Sequence, residues 1–219
     1  LKHISEVPSG QKCNCICAAC LQPFEARKGT RRRHHFAHVS NYECMYASEV
    51  AIYKAFAEAL KQSGFLALPQ VMLRFPAWHD PELLQEARRL KIDSVAFECE
   101  PLSYPPLLRV TMQGTPLRIL LDFDRYYDDD DRVKLAEEAK AEDYSLLLIS
   151  MPKIDQDTEF TPDRLQSALQ DNDRTEWVFS RLEEQWKQKY YAVAVSPPEH
   201  GTGNLCPISF GKYKGKYSA

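Results

Sequence analysis

The chain has 219 residues, 44% of them hydrophobic, with 28 Lys and Arg against 31 Asp and Glu and a formal net charge of -3. That length suits one medium domain, or a small domain joined to a larger one, with a real core. The charge balance excludes a uniformly basic, nucleic-acid-coating chain, and no apolar run reaches the ~18 residues that a membrane-spanning helix needs.

Charge is distributed unevenly. Residues 1–40 carry Lys2, Lys12, Arg27, Lys28, Arg31, Arg32 and Arg33 against Glu6 and Glu25, while residues 122–131 carry Asp122, Asp124 and the run Asp128 to Asp131. One end is suited to face a polyanion and the middle to face a metal. The N-terminus shows no apolar signal core, as expected of a cytoplasmic protein. Five of the seven cysteines fall within residues 13–44, beside His34, His35 and His38. In a reducing compartment, that clustering reads as metal ligation rather than cross-linking.

In chain order, residues 1–44 hold no sustained period and contain Pro8, Gly10, Pro23 and Gly29, so they need a staple to fold. Residues 46–62 place Val50, Tyr53, Ala57 and Leu60 at helical spacing before Gly64, which predicts a helix. A strand follows over 66–75, then a charged helix from Pro81 to Leu90. Residues 91–99 and 107–113 read as strands, and Gly114–Thr115 turns the second into a third over 117–123. A helix over 131–142 precedes LLLISM (146–151), the wholly apolar kind of strand that is buried on both faces. Helices are expected over 163–170 and 173–190, with a late strand over 192–196 and a loosely ordered tail over 197–219. This order predicts an α/β (α+β) layer structure in three parts: a zinc-binding module (1–45), an α/β core with a central mixed sheet (46–196) and the tail.

The metal ligands follow from spacing. CNCICAAC places Cys17 and Cys20 in a C-x-x-C knuckle, and HHFAH places His35 and His38 three apart after a loop. Two chelating pairs separated by about a dozen residues make a tetrahedral structural zinc site. The expected set is Cys17, Cys20, His35 and His38; Cys44 is an alternative to one histidine, and Cys13 or Cys15 to a cysteine. The intervening ARKGTRRRHH offers Arg27, Lys28, Arg31, Arg32 and Arg33 as phosphate contacts for DNA. Three acids also stand out: Glu49 on the first helix, Asp93 after Ile92 in a predicted strand and Asp122 at a strand end. Carboxylates from two strands and a helix can together hold a catalytic magnesium or manganese ion.

The run HISEV, CNCICAAC, ARKGTRRRHHFAH, EC and SEVAIYKAF resembles the N-terminal half of the competence protein CoiA-like nuclease family, specifically over residues 3–62 and by topology alone over 66–151. The resemblance implies a zinc module joined to a restriction-endonuclease-like core of the PD-(D/E)XK type, a Mg- or Mn-dependent endonuclease acting on DNA. Glu49 would be the helix glutamate, Asp93 the first strand aspartate and Asp122 the second strand acid, with Asp124 standing where the family usually has Lys or Gln. Three positions depart from the pattern: Tyr53 replaces a histidine, Ile92 a proline, and Asp124 the residue that orients water. Glu98 and Glu100 offer an alternative register for the motif acids. The rival expectation is a core that keeps this fold without cutting and serves as a nucleic-acid-binding or assembly module, with a protein partner or a second copy.

Overall fold

The computed structural model describes residues 2–40, 44, 46–74, 80–98, 106–123, 127–152 and 162–195. After a single 3-10 turn at Ile4–Glu6, three antiparallel strands form a small sheet: β1 (Gly10–Ile16), β2 (Pro23–Arg27) and β3 (His35–His38), in the order β1-β2-β3. Its inner face buries Val7, Cys13 and Ala26 against Phe36, too little apolar surface to hold a fold by itself.

Helix α1 (Ala47–Ser63) follows the predicted stripe, burying Val50, Tyr53, Phe56, Ala57 and Leu60. It stops at Gly64, which takes the left-handed conformation (φ 66°) and donates its N–H to the Leu60 carbonyl, a turn that costs glycine no Cβ clash. The expected strand over 66–75 is two, β4 (Phe65–Leu68) and β5 (Val71–Leu73), on either side of Pro69. The helix expected from Pro81 to Leu90 is instead β6 (Glu82–Gln85), paired with β5, and β7 (Arg88–Lys91), paired with β4. Glu, Leu, Gln, Ala and Arg are good helix formers, but so short a helix is marginal alone. Here the open edges of β4 and β5 decide the conformation.

The main sheet has five strands in the order β12-β11-β10-β9-β8. These are β8 (Ser94–Glu98), β9 (Leu107–Met112), β10 (Thr115–Phe123), β11 (Ser145–Met151) and β12 (Thr175–Phe179). Only β10 and β11 run parallel, joined through helix α2 (Asp129–Ala141); the other neighbours are antiparallel. The molecule is therefore mixed α/β. The β9–β10 hairpin turns on Gln113 and Gly114, both at positive φ, the geometry a two-residue hairpin needs.

Alternation along β10 divides the core. Leu117, Ile119, Leu121 and Phe123 face α1 and helix α3 (Pro162–Gln170), whereas Leu120 packs with Leu146, Leu148 and Ala139 on the α2 side. Residues 173–190 are not one helix. Trp177 joins the α1-side core and Val178 the α2-side core; neighbouring side chains on opposite faces mark a strand. Helix α4 (Arg181–Val195) begins after Ser180, whose Oγ accepts from the Glu183 N–H. It occupies residues 192–195 of the late strand expected over 192–196, residue 196 lying outside the described residues. The tail over 197–219 lies outside the described residues. No described helix is long and apolar enough to cross a membrane.

Candidate metal centre

The knuckle is a tight turn closed by backbone hydrogen bonds. The Leu21 N–H donates to the Cys17 carbonyl at 3.0 Å and the Cys17 N–H to the Gln22 carbonyl at 2.8 Å, and the Ala19 N–H points at the Cys17 sulfur at 3.4 Å. Leu21 accepts a φ of 60° to make this turn. Cys17 is fully buried. His38, on the neighbouring strand β3, brings Nε2 to 3.2 Å from the Cys20 sulfur, with its ring edge against Phe24. The fourth member is Cys44, whose carbonyl accepts from the Ala47 N–H at the start of α1.

The ligating atoms of Cys17, Cys20, His38 and Cys44 all lie within 4.8 Å of one another. Bonds of about 2.3 Å to sulfur and about 2.0 Å to nitrogen set tetrahedral ligand atoms just under 4 Å apart, so small side-chain shifts bring this group onto a metal. Its donors, three thiols and an imidazole, are those that zinc takes. Burial first, then the charge of the Cys17 sulfur, push the Cys44 thiol up to about 11. Three sulfurs so close resist sharing negative charge, and a divalent cation removes that resistance.

His35 is a correction to the sequence reading. It is exposed and lies outside the group, with Nδ1 at 2.9 Å from the Arg33 carbonyl. The cause is the period of the backbone. HFAH is a strand, so residues three apart point to opposite faces; on a helix the same spacing would have brought both rings together. Cys44 takes the vacant corner because the chain turns back from β3 into α1. Cys13 and Cys15 are also outside the group, their thiols directed to the carbonyls of Phe24 and Cys13.

The centre joins two parts of the molecule. Cys17, Cys20 and His38 belong to the small sheet, Cys44 leads into α1, and the Lys54 ammonium on α1 donates to the Ala18 carbonyl inside the knuckle at 3.0 Å. The residue just before it is Tyr53, whose hydroxyl accepts from the Leu121 N–H of β10 at 2.7 Å. Pairing of β9 with β10 ends at Leu108–Ile119. The residue next in register opposite Leu121 is Pro106, which has no N–H to offer the Leu121 carbonyl, and the Tyr53 hydroxyl donates to that carbonyl instead, at 3.4 Å. Tyr53 thus ties the helix to the central strand.

The acids expected to hold a catalytic metal are not brought together. Asp93 accepts the Gly114 N–H at 3.0 Å and so caps the β9–β10 turn. Asp122 lies eight residues along β10, roughly 25 Å away at ~3.3 Å per residue. It is buried on the side of the sheet that carries Leu120 and α2, whereas Glu49 sits in the first turn of α1, on the other side. Among the described residues these carboxylates form no metal-ligating group. The sequence reading took Asp93 and Asp122 to come from adjacent strands, but β8 and β10 point the same way with β9 between them, so a residue before the start of β8 and one near the end of β10 fall at opposite ends of the sheet. Asp124 and Glu100 lie outside the described residues.

Neither a protein-family model nor a curated protein matches this chain.

At the far tip of the β2–β3 hairpin, Arg27, Arg31, Arg32, Arg33 and His35 line a cleft of about 400 Å³. Lys28 is a second correction. Its ammonium donates to the carbonyls of Val7 and Ser5 and so anchors the loop instead of facing a ligand. Arg31 and Arg32 have no ion-pair partner among the described residues.

The ligand set makes a measurable prediction. At pH 7 free thiols are protonated, so uptake of a divalent metal by three cysteines and one histidine should release about three protons. A Cys2His2 site built from Cys17, Cys20, His35 and His38 would release about two. Calorimetric titration of the apo-protein in buffers of different ionisation enthalpy reads the number directly.

Proposed function

We propose that this protein binds nucleic acid, DNA in the first instance, through the arginine tip of a hairpin held at its base by a structural zinc ion, on an α/β core of nuclease-like descent that no longer cuts. The observation that carries the reading is the cleft of Arg27, Arg31, Arg32 and Arg33, a concave cationic surface at one end of a hairpin whose other end enters the metal group. Zinc would be held by Cys17, Cys20, His38 and Cys44, and four protein ligands leave it no open position for chemistry. What it supplies is rigidity, because a short hairpin with a small core would otherwise sample many shapes. A pre-ordered loop loses less entropy on meeting a phosphate backbone.

Binding rather than hydrolysis is favoured by the dispersal of Glu49, Asp93 and Asp122. Magnesium- or manganese-assisted attack on a phosphodiester needs its carboxylates at one point. Sequence-independent affinity needs only cations placed along a backbone.

The test is a salt titration of DNA binding. Replacing Arg31, Arg32 and Arg33 together with Ala should weaken binding to any sequence and flatten the slope of log K against log salt by up to about three units, roughly 0.9 per lost phosphate contact on duplex. Asp93→Ala should leave affinity unchanged, and magnesium should leave the DNA intact. An unaltered salt slope in the triple variant, or cleavage that Asp93→Ala abolishes, overturns the reading.

A further inference from the structure

The small sheet has one covered face and one open face, and the open face differs in chemistry from end to end. Alternation puts Pro23, Glu25 and Arg27 on the same side of β2. Cross-strand pairing sets Ile16 beside Pro23 and His35 beside Arg27. The Val39 N–H donates to the Pro23 carbonyl at 3.1 Å and extends the row beyond β3. Ile16, Pro23 and Val39 therefore form a lateral row across the end that carries the Cys–His group, with Ile16 63% and Val39 43% exposed. About 13 Å away along the strand, at ~3.3 Å per residue, the same face opens into the arginine cleft. Glu25, midway between, is neutralised by Arg27 at 2.7 Å. The opposite face is closed by Val7, Cys13, Ala26 and Phe36.

A single exposed aliphatic side chain needs no explanation. A row of them on the face that also carries the cationic cleft does need one. Of the seven large apolar side chains exposed among the described residues, Ile16, Leu21 and Val39 all belong to this small module.

We infer that this face takes single-stranded nucleic acid, with phosphates in the arginine cleft and unstacked bases laid over the Ile16–Pro23–Val39 row. The inference rests on the nucleic-acid reading above and adds strandedness to it. Phosphates are offered equally by single and double strands, so the arginines alone do not choose. Base faces are different: in a duplex they are stacked on one another and out of reach, whereas an unpaired strand presents them as flat apolar surfaces seeking cover. An open sheet face with cations at one end and an apolar row at the other matches an alternation of phosphate and base that only the unpaired strand displays.

The experiment compares binding of the full-length, zinc-loaded chain to an oligothymidylate and to a duplex of equal length. Wild type should prefer the single strand. Replacing Ile16 and Val39 together with Ser should lower single-strand affinity by about tenfold, the order expected when a few tens of Å² of aliphatic contact with a base is lost. Duplex binding, the salt slope and the zinc content should stay unchanged, since both side chains are exposed and neither is a ligand. The arginine triple variant should weaken both substrates alike. A wild-type preference for duplex, or a double variant that keeps the single-strand preference, overturns this inference while leaving the nucleic-acid reading standing. If wild type binds neither oligonucleotide, the nucleic-acid reading fails and takes the inference with it.

Discussion

Cys44→Ala is expected to empty the metal centre and unfold the β1–β3 sheet, whereas His35→Ala should retain one metal per chain. Both residues were candidates for the same corner of the tetrahedron, and only one reaches it. Cys44 stands with Cys17, Cys20 and His38 inside the 4.8 Å group, while His35 is exposed beside Arg33. The free energy of a structural zinc site is largely folding free energy, on the order of 10 kcal/mol in small modules. The covered face of this sheet buries little apart from Val7, Cys13 and Ala26, so little remains to hold it once the metal leaves. Elemental analysis of the two variants, purified without chelator, gives the metal content. Proteolysis within residues 1–40 reports the unfolding. Metal retained by Cys44→Ala and lost by His35→Ala would falsify the ligand assignment.

Phe56→Ala should destabilise the protein by about 3–5 kcal/mol, the usual cost of a large cavity in a core that cannot collapse. Phe56 has no exposed surface and lies on the buried stripe of α1, in the cluster that contains Leu108, Ile119, Leu121 and Leu147. For a chain of this size the change should lower Tm by roughly 10 °C. Val133→Ala on α2 is the matched control, because Val133 is 57% exposed and surface truncations usually stay within about 0.5 kcal/mol. Since α1 also carries Lys54 to the knuckle and follows directly from Cys44, Phe56→Ala should weaken metal retention during thermal unfolding as well. Calorimetry with metal release followed in parallel reads both. A Phe56→Ala protein as stable as wild type would mean that α1 is not seated on the sheet as described.

These results bear on function through one shared feature. The metal group, α1 and the central strand β10 are linked in series by Cys44, Lys54 and Tyr53. The basic hairpin tip is thus carried on a base fixed at two levels, which suits a binding surface. The acids have no comparable frame. Asp93 is engaged in capping a turn, and Asp122 and Glu49 are kept on opposite sides of the sheet.

What could be read from the sequence was set by neighbours along the chain. Helix α1 announces itself by its stripe and by Gly64, the β9–β10 hairpin by Gly114, β11 by its unbroken apolar run, and the knuckle by Cys17 and Cys20 three apart. Each is a local signal, because the residues that make the interaction are also those that carry the pattern. The remainder was decided by contacts between distant segments. Residues 82–91 have helical composition yet pair as strands with β4 and β5. Residues 175–179 become a strand because β11 offers an edge between two cores. His38 is selected over His35 because β3 pairs with β2 and takes a period of two, and Cys44 completes the set only after the chain has folded back into α1. The acids were misjudged for the same reason: sequence spacing says how far along a strand a carboxylate sits, but the register and direction of the neighbouring strands determine which end and which face it occupies.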